Sequence, residues 1–246
     1  LGFGPDLSAH VPRSAPGDVA GVLQREVEHA GVVLGAGEAV RLRGDPRRQV
    51  APVGAAAYGH LRLDGDALRD EVLTRAHHVL VGAVAPRALH DLPEGDGASW
   101  YERTPGGPDP ASFRHAVDTV AQFVDDELAA AGIPHDRCVL AGFSQGGFVS
   151  LALALRPGAP GYAGVWAMCC ALPEIEGLEL DPTNGDHRPA LIQVGEHDRI
   201  IPPERGLAAA AALRGGGWEV TDVEYDMAHS QTIEMMVDAR SWLAAI

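Results

Sequence analysis

The sequence lacks lysine altogether and is poor in cysteine and aromatic residues. All 19 basic residues are arginines, and they stand against 34 acidic residues, which gives a formal net charge of −15. This charge argues against nucleic acid and anionic membrane surfaces as partners, because both repel a strongly acidic protein. A codon usage that prefers arginine and alanine explains the missing lysine, and adaptation to high salt is the alternative explanation.

The three cysteines are too few to form a disulfide framework. Cys138 lies in a predicted core strand, and the adjacent residues Cys169 and Cys170 are awkward to bridge. A cytoplasmic location is therefore the expectation. No apolar run approaches the ~20 residues of a membrane span, and the first residues show neither the cationic flank nor the apolar core of a signal peptide. We therefore expect neither a membrane span nor a cleaved leader.

The length and composition fit one folded domain. The chain has 246 residues, of which 46% are hydrophobic and 22% are charged, as is ordinary for a globular protein with a large core. We expect a single domain over residues 1–246, with residues 1–57 as an atypical N-terminal portion. From residue 78 onward, short apolar runs alternate with segments of helical periodicity. This alternation predicts an α/β fold with a mainly parallel twisted sheet and helices on both faces.

The individual elements follow from periodicity and from capping residues. In the first third we expect a helix at 16–30 that ends at Gly31, a hairpin of strands 32–34 and 40–42, an exposed segment at 44–50, a central strand at 50–58 and a helix at 64–76. Beyond it we expect strands at 79–84, 138–141, 162–168, 190–194 and 219–225, and helices at 110–131, 148–155, 203–213 and 230–245. Two helices have predicted inward faces, which comprise Phe113, Ala116, Val117, Val120, Val124 and Leu128 in one and Ile233, Met236, Val237 and Leu243 in the other.

The most informative stretch is Gly-Phe-Ser-Gln-Gly-Gly at residues 142–147, between a predicted strand and a predicted helix. Strand, G-x-S-x-G and helix form the context of a nucleophile elbow, in which a strained turn presents a serine hydroxyl. Side chains two residues on either side of Ser144 would collide in such a turn, so Gly142 and Gly146 fit it. The alternative is a glycine-rich turn that only packs the helix on the sheet.

A serine nucleophile needs a base, and the base needs an orienting acid. Asp198 and His229 each follow a predicted strand after Ser144, so both lie beyond the carboxyl ends of parallel strands, where open α/β sheets bind ligands. The order Ser, Asp, His is that of α/β-hydrolases. Glu196 is a rival acid and His197 a rival base. An aspartate that only forms a turn and a histidine that only opens a helix are the structural alternatives.

From about residue 79 to the end, the chain resembles the phospholipase/carboxylesterase family of α/β-hydrolases, which includes the acyl-protein thioesterases. The resemblance rests on the elbow, on Ser-Trp-Tyr at 99–101, on Gly-Glu-His-Asp-Arg-Ile-Ile-Pro at 195–202, on Met-Ala-His-Ser at 227–230 and on Ser-Trp-Leu at 241–243. It implies that Ser144 is the nucleophile, Asp198 the orienting acid and His229 the base. It also implies that the backbone N–H of Gln145 is one donor to the oxyanion.

One motif of the family is missing from this sequence. Family members carry a Leu-His-Gly-x-Gly type of turn that supplies the second oxyanion donor, and the nearest match here is Tyr-Gly-His-Leu at 58–61. Leu61 is therefore the candidate for that donor. Loss of one oxyanion donor costs on the order of 10²–10³ in rate. The turn is thus rebuilt with another backbone, or the enzyme is slow, specialised or dependent on a partner.

The leading hypothesis is a serine hydrolase that cleaves carboxylic esters or thioesters of small molecules through an acyl-enzyme, with no metal and no organic cofactor. Trp100, Tyr101 and Phe143 are candidates for the wall of an acyl pocket, and ordinary core packing is the alternative for them. Two other hypotheses remain open. The same residues can pass the acyl group to an alcohol or amine, or the chain is a degenerate hydrolase that serves as a binding or scaffold protein. The oligomeric state is open as well, with a homodimer as one expectation.

Overall fold

The computed structural model of the protein describes residues 30–34, 48–51, 82–92 and 97–246. Within these residues, seven strands form one sheet in the order β11-β10-β9-β8-β1-β3-β2, and two small hairpins pair β4 with β5 and β6 with β7. The strands are β1 Ala30–Leu34, β2 Arg48–Ala51, β3 Gly82–Pro86, β4 His90–Asp91, β5 Ala98–Ser99, β6 Arg103–Thr104, β7 Gly107–Pro108, β8 Cys138–Phe143, β9 Gly164–Met168, β10 Pro189–Gly195 and β11 Glu219–Tyr225. The α-helices are α1 Pro110–Ala131, α2 Gln145–Leu155, α3 Pro203–Gly215 and α4 Ile233–Leu243, and short 3₁₀ helices cover His135–Arg137 and Pro182–Asn184.

Five of the seven strands in the described sheet run in the same direction, in agreement with the predicted, mainly parallel sheet. Strands β8, β9, β10 and β11 pair in parallel. Strand β1 is antiparallel to both β8 and β3, so β3 has the direction of the parallel strands. Strand β2 pairs antiparallel with β3 at one end of the described sheet. The carboxyl ends of β8, β10 and β11 therefore meet at one edge of the sheet.

The first third of the chain differs in part from its prediction where the structure describes it, although the strand expected at 32–34 lies within β1. The predicted helix was to continue to residue 30, but Ala30 opens β1, and β1 pairs with β3 and β8. Residues 48–51 form a strand at the end of the described sheet order, whereas a central strand was expected at 50–58. The strand at 40–42, the helix at 64–76 and most of the atypical portion lie outside the described residues, and the single domain over 1–246 stays a prediction.

Helix α1 confirms the capping and periodicity arguments. The side chain of Asp109 accepts a hydrogen bond from the backbone N–H of Ser112, Pro110 occupies the first turn, and Gly132 ends the helix with a φ of 66°. This left-handed conformation costs glycine little, which explains why the helix stops there. The six residues predicted to face inward are all buried.

Two hydrophobic clusters lie on opposite faces of the sheet. Along β8, Leu140 belongs to the cluster that contains residues of α1, α2 and α3, whereas its neighbours Val139 and Ala141 belong to the cluster that contains residues of α4. This alternation is the two-residue period of a strand that is buried on both sides. Helices thus cover both faces, as expected. None of the described helices is long and apolar enough to cross a membrane.

One inward position of the last helix was wrong. Val237 is 45% exposed, and Met235, at 0% exposed, takes a place in the core instead. Helix α4 begins at Ile233, where Thr232 caps it through a bond from the Met235 backbone N–H, and not at residue 230. The shorter helix buries Met235, Met236, Ala239 and Leu243, which share one face at helical spacing.

Candidate active site

Ser144 lies at the turn between β8 and α2 in a strained backbone conformation, with φ 50° and ψ −119°. Its N–H donates to the Met168 carbonyl at 2.9 Å, and its carbonyl accepts from the Phe148 N–H at 3.0 Å. A Cβ on Gly142 would lie 2.2 Å from the carbonyl oxygen of Gly146, so a side chain there is excluded. Helix α2 starts directly after the serine, three residues earlier than the predicted 148–155. The G-x-S-x-G pattern therefore forms a sharp strand-to-helix turn, and few residue types fit such a backbone.

Asp198 is held in the loop after β10 by backbone hydrogen bonds. Its Oδ1 accepts from the N–H groups of Ile200 at 2.8 Å and Ile201 at 2.9 Å. Its Oδ2 lies 2.7 Å from Nδ1 of His229. The carboxylate is only 4% exposed, and these partners satisfy both of its oxygens. The orientation of the carboxylate is therefore set before any ligand binds.

His229 lies in the loop between β11 and α4 and joins the other two side chains. With its proton on Nδ1, the imidazole donates to Asp198, and its Nε2 lies 2.9 Å from Oγ of Ser144 and accepts from that hydroxyl. The histidine is 7% exposed and Ser144 is 2% exposed. The ring also packs against Phe143, with centroids 4.9 Å apart and planes at 44°. Serine, histidine and aspartate thus form one buried chain of hydrogen bonds, the arrangement that activates a serine hydroxyl.

The rival residues lie elsewhere. His197 points its Nε2 at Oδ1 of Asp226 at 2.8 Å, and both side chains are largely exposed, at 64% and 87%. Glu196 is exposed beside them, and these three residues bring a nitrogen and carboxylate oxygens within 4.8 Å of one another. Among the described residues, a second group with that spacing consists of Cys169, Asp198 and His229. In that group Asp198 and His229 already bind each other.

Cys169 also lies at this site, and no pattern in the sequence predicted it there. The residue follows β9 with a φ of 46°, is 1% exposed, and its thiol lies 3.7 Å from the Ser230 carbonyl oxygen, next to His229. A left-handed non-glycine residue is uncommon, and such residues concentrate at functional sites. No sequence motif marks Cys169. Only its position after a parallel strand indicated that it lies near this site.

The remaining predicted site residues fall into three situations. Phe143 contacts the imidazole of His229. Trp100 and Tyr101 are 1% and 3% exposed and belong to the core cluster, where the ring of Tyr101 lies 4.8 Å from that of Phe113. Gln145 is the first residue of α2, and the first N–H groups of a helix have no carbonyl partner within the helix. Leu61 lies outside the described residues.

A sheet of this topology, with serine at a strand-to-helix turn and aspartate and histidine beyond later parallel strands, defines an α/β-hydrolase. Residues 64–246 match the model of the Phospholipase/Carboxylesterase family, and the chain belongs to that family.

Two curated relatives agree with the family assignment. The chain is 34% identical over 119 residues to acyl-protein thioesterase 1 of Gibberella zeae, which is 46% of this chain and 49% of that protein. It is 28% identical over 166 residues to a probable carboxylesterase of Oryza sativa subsp. japonica, which is 66% of this chain and 59% of that protein. The chain thus spans between about half and three fifths of the length of these relatives.

Solved structures show the same fold. A carboxylesterase from Mesorhizobium loti superposes with a TM-score of 0.59 at 21% identity, over 85% of this chain and 100% of that chain. The Bacillus cereus carboxylesterase superposes with a TM-score of 0.58 at 18% identity, over 74% of this chain and 83% of that chain. At these identities the superpositions establish the fold.

Proposed function

We propose that this protein is a serine hydrolase that cleaves carboxylic esters or thioesters through an acyl-enzyme. The observation that carries the proposal is the buried series of contacts from Asp198 to His229 at 2.7 Å and from His229 to Ser144 at 2.9 Å. The family supports ester hydrolysis as the reaction class. The names of the two relatives support both a thioester and an ester as substrate.

In this mechanism, His229 Nε2 takes the proton of the Ser144 hydroxyl as Oγ attacks the carbonyl carbon of the substrate. The tetrahedral intermediate collapses as the same nitrogen gives its proton to the leaving alcohol or thiol. Water then attacks the acyl-serine with His229 again as the base, which releases the acid and restores the hydroxyl. Asp198 keeps the imidazole in the required tautomer and stabilises its charged form. Its two backbone hydrogen bonds support this role because they hold the carboxylate still.

The negative charge on the substrate oxygen needs preorganised donors. We assign one of them to the backbone N–H of Gln145, because it begins α2 beside Ser144 and adds the positive end of the helix dipole. Leu61 remains the proposed source of the second donor. Trp100 and Tyr101 remain predicted pocket residues, and Phe143 is supported by its contact with the imidazole.

Labelling with a fluorophosphonate and hydrolysis of p-nitrophenyl esters and an acyl thioester test the proposal. The wild-type protein should be labelled and should release both products, whereas Ser144→Ala should do neither. Ser241→Ala is the matched control, because that serine is exposed on α4 and donates to the Val237 carbonyl of its own helix. Ester cleavage that survives in Ser144→Ala would contradict the mechanism, and an unlabelled wild-type protein would favour a scaffold role.

The acyl acceptor, the cellular location and the oligomeric state of the protein are proposals as well. Hydrolysis is proposed over acyl transfer, and product analysis with a competing alcohol or amine separates the two. A cytoplasmic location is supported by the three cysteines, which are buried free thiols. A homodimer stays a prediction, which light scattering of the purified protein would test.

A further inference from the structure

The side chain of Gln145 reaches across to a segment 45 residues away in the sequence. Its Oε1 accepts from the Trp100 backbone N–H at 2.8 Å and from the Ser99 hydroxyl at 3.0 Å. A backbone N–H can only donate, so the atom that faces it must be the carbonyl oxygen of the amide. The contact therefore has one orientation, and an apolar side chain of the same shape cannot replace it.

Both partners of this contact are immobilised in the core. Ser99 is 8% exposed, Trp100 1% and Gln145 5%. The next residue, Tyr101, packs its ring on Phe113 of α1, so the short segment 99–101 is tied to the helix layer. The Ser99 hydroxyl shares its single hydrogen between Gln145 Oε1 and the Tyr101 carbonyl oxygen, which lies 2.7 Å from Oγ, and this bond further stiffens the segment. The amide of Gln145 thus binds a rigid support and not a loose loop.

We propose that the side chain of Gln145 is a positioning residue that directs its own backbone N–H toward the oxyanion. The inference rests on the proposed function. Ser144 fixes the residue on one side through its strained backbone, and the 99–100 segment fixes it on the other through the amide. An oxyanion donor is effective only within about 2.7–3.1 Å of the developing charge, so a small rotation of the first turn of α2 weakens it. This assigns the 99–100 backbone a role in aligning the elbow.

The first test is Gln145→Met, which keeps the length and volume of the side chain and removes the acceptor. We expect kcat to fall about 10- to 100-fold, part of the 10²–10³ that one oxyanion donor supplies, while KM stays within about twofold because the ground state makes little use of that donor. Rates are normalised to the number of sites titrated by a fluorophosphonate. Gln122→Met is the matched control, since Gln122 is exposed on α1 and donates to the exposed Asp126 of the same helix.

The inhibition constant of a transition-state analogue is a measurement that a purely structural role of Gln145 would not change. A trifluoromethyl ketone forms a tetrahedral adduct with the serine, and its oxyanion occupies the position of the reaction intermediate. Its inhibition constant should rise in Gln145→Met by about the same factor as kcat falls, whereas the affinity for the unreacted substrate should not change. A loss of folded protein alone would leave both constants unchanged for the titrated sites.

The second variant is Ser99→Ala, which removes one donor and leaves the Trp100 N–H. We expect a fall in kcat of about two- to tenfold, and no further loss when it is combined with Gln145→Met, because both act through one contact. If Gln145→Met does not fold, Ser99→Ala becomes the deciding test, and an unchanged kcat in Ser99→Ala overturns the inference. An unchanged kcat and inhibition constant in a folded Gln145→Met overturns it as well. A wild-type protein without esterase activity would instead refute the proposed function.

Discussion

Gly195 at the end of β10 touches the loop that carries His229. A Cβ on Gly195 would lie 2.6 Å from the carbonyl oxygens of both Ala228 and Met227. The backbone of Glu196 and His197 also donates to the carbonyls of Tyr225 and Met227, at 2.8 and 3.0 Å. The loops that bear Asp198 and His229 are thus joined through their backbones, and this close approach aligns the two side chains.

Gly195→Ala should therefore separate the two loops. We expect a loss of at least about 1–3 kcal/mol in the free energy of unfolding, typical of overpacking, and about a 10²-fold loss of kcat from a displacement of the order of an ångström. Urea denaturation and ester hydrolysis measure the two effects. Gly215→Ala is the control, because a Cβ there meets nothing within 4 Å and the residue ends α3. Equal behaviour of both variants would show that the loop contact is unimportant.

Asp198→Asn should leave the structure in place and remove the activity. Its Oδ1 can still accept from Ile200 and Ile201, but its amide nitrogen then faces His229 Nδ1 and favours the wrong tautomer. We expect kcat to fall about 10⁴-fold, as substitution of the orienting acid does in a catalytic triad. The matched control is Asp226→Asn at the exposed pair with His197, which should keep kcat within about twofold. A larger effect at Asp226 would make His197 the base.

The thiols of Cys138 and Cys170 should resist alkylation in the native protein. Burial raises the pKa of the Cys138 thiol to about 12, and burial also raises the pKa of Cys170. Both thiols stay protonated at pH 8, since that pH lies below the raised values, and the neutral thiol is a poor nucleophile. Mass spectrometry after iodoacetamide treatment should find them unmodified under native conditions and modified in denaturant. Rapid native modification would show that the core opens readily.

Gln193→Met should destabilise the sheet. Gln193 is fully buried; it accepts from the Trp166 indole N–H at 2.7 Å and donates to the Tyr225 hydroxyl at 2.7 Å and to the Met235 carbonyl at 2.9 Å. The substitution leaves the buried Trp166 indole N–H without its acceptor and removes the two bonds that Gln193 donates, so we expect about 2–4 kcal/mol of lost stability. Urea denaturation measures it, with the exposed Gln122→Met as control. A loss below that of the control would show that other groups satisfy the network.

Local patterns in the sequence determined the elements and the identity of the site. Ser144 was predicted from glycine spacing because a strained turn excludes side chains at the positions two residues before and two residues after it, and α1 was predicted from its cap and apolar period. Asp198 and His229 were predicted as residues beyond strand ends, because parallel strands bring those ends to one edge. Each of these features depends on a few neighbouring residues, so it can be predicted from the local sequence.

Only the tertiary structure decided between the preferred residues and the rivals that the sequence left open. His229 reaches Ser144 at 2.9 Å, whereas His197 turns outward to Asp226. Likewise, the contact of Gln145 with Ser99 and Trp100 joins residues far apart in the chain. Such contacts depend on strand order, on the register of β10 against β11 and on where α4 begins, as the exposed Val237 shows. Sequence periodicity defines which face of an element is apolar, but the packing of the whole sheet decides which side chains from distant elements meet.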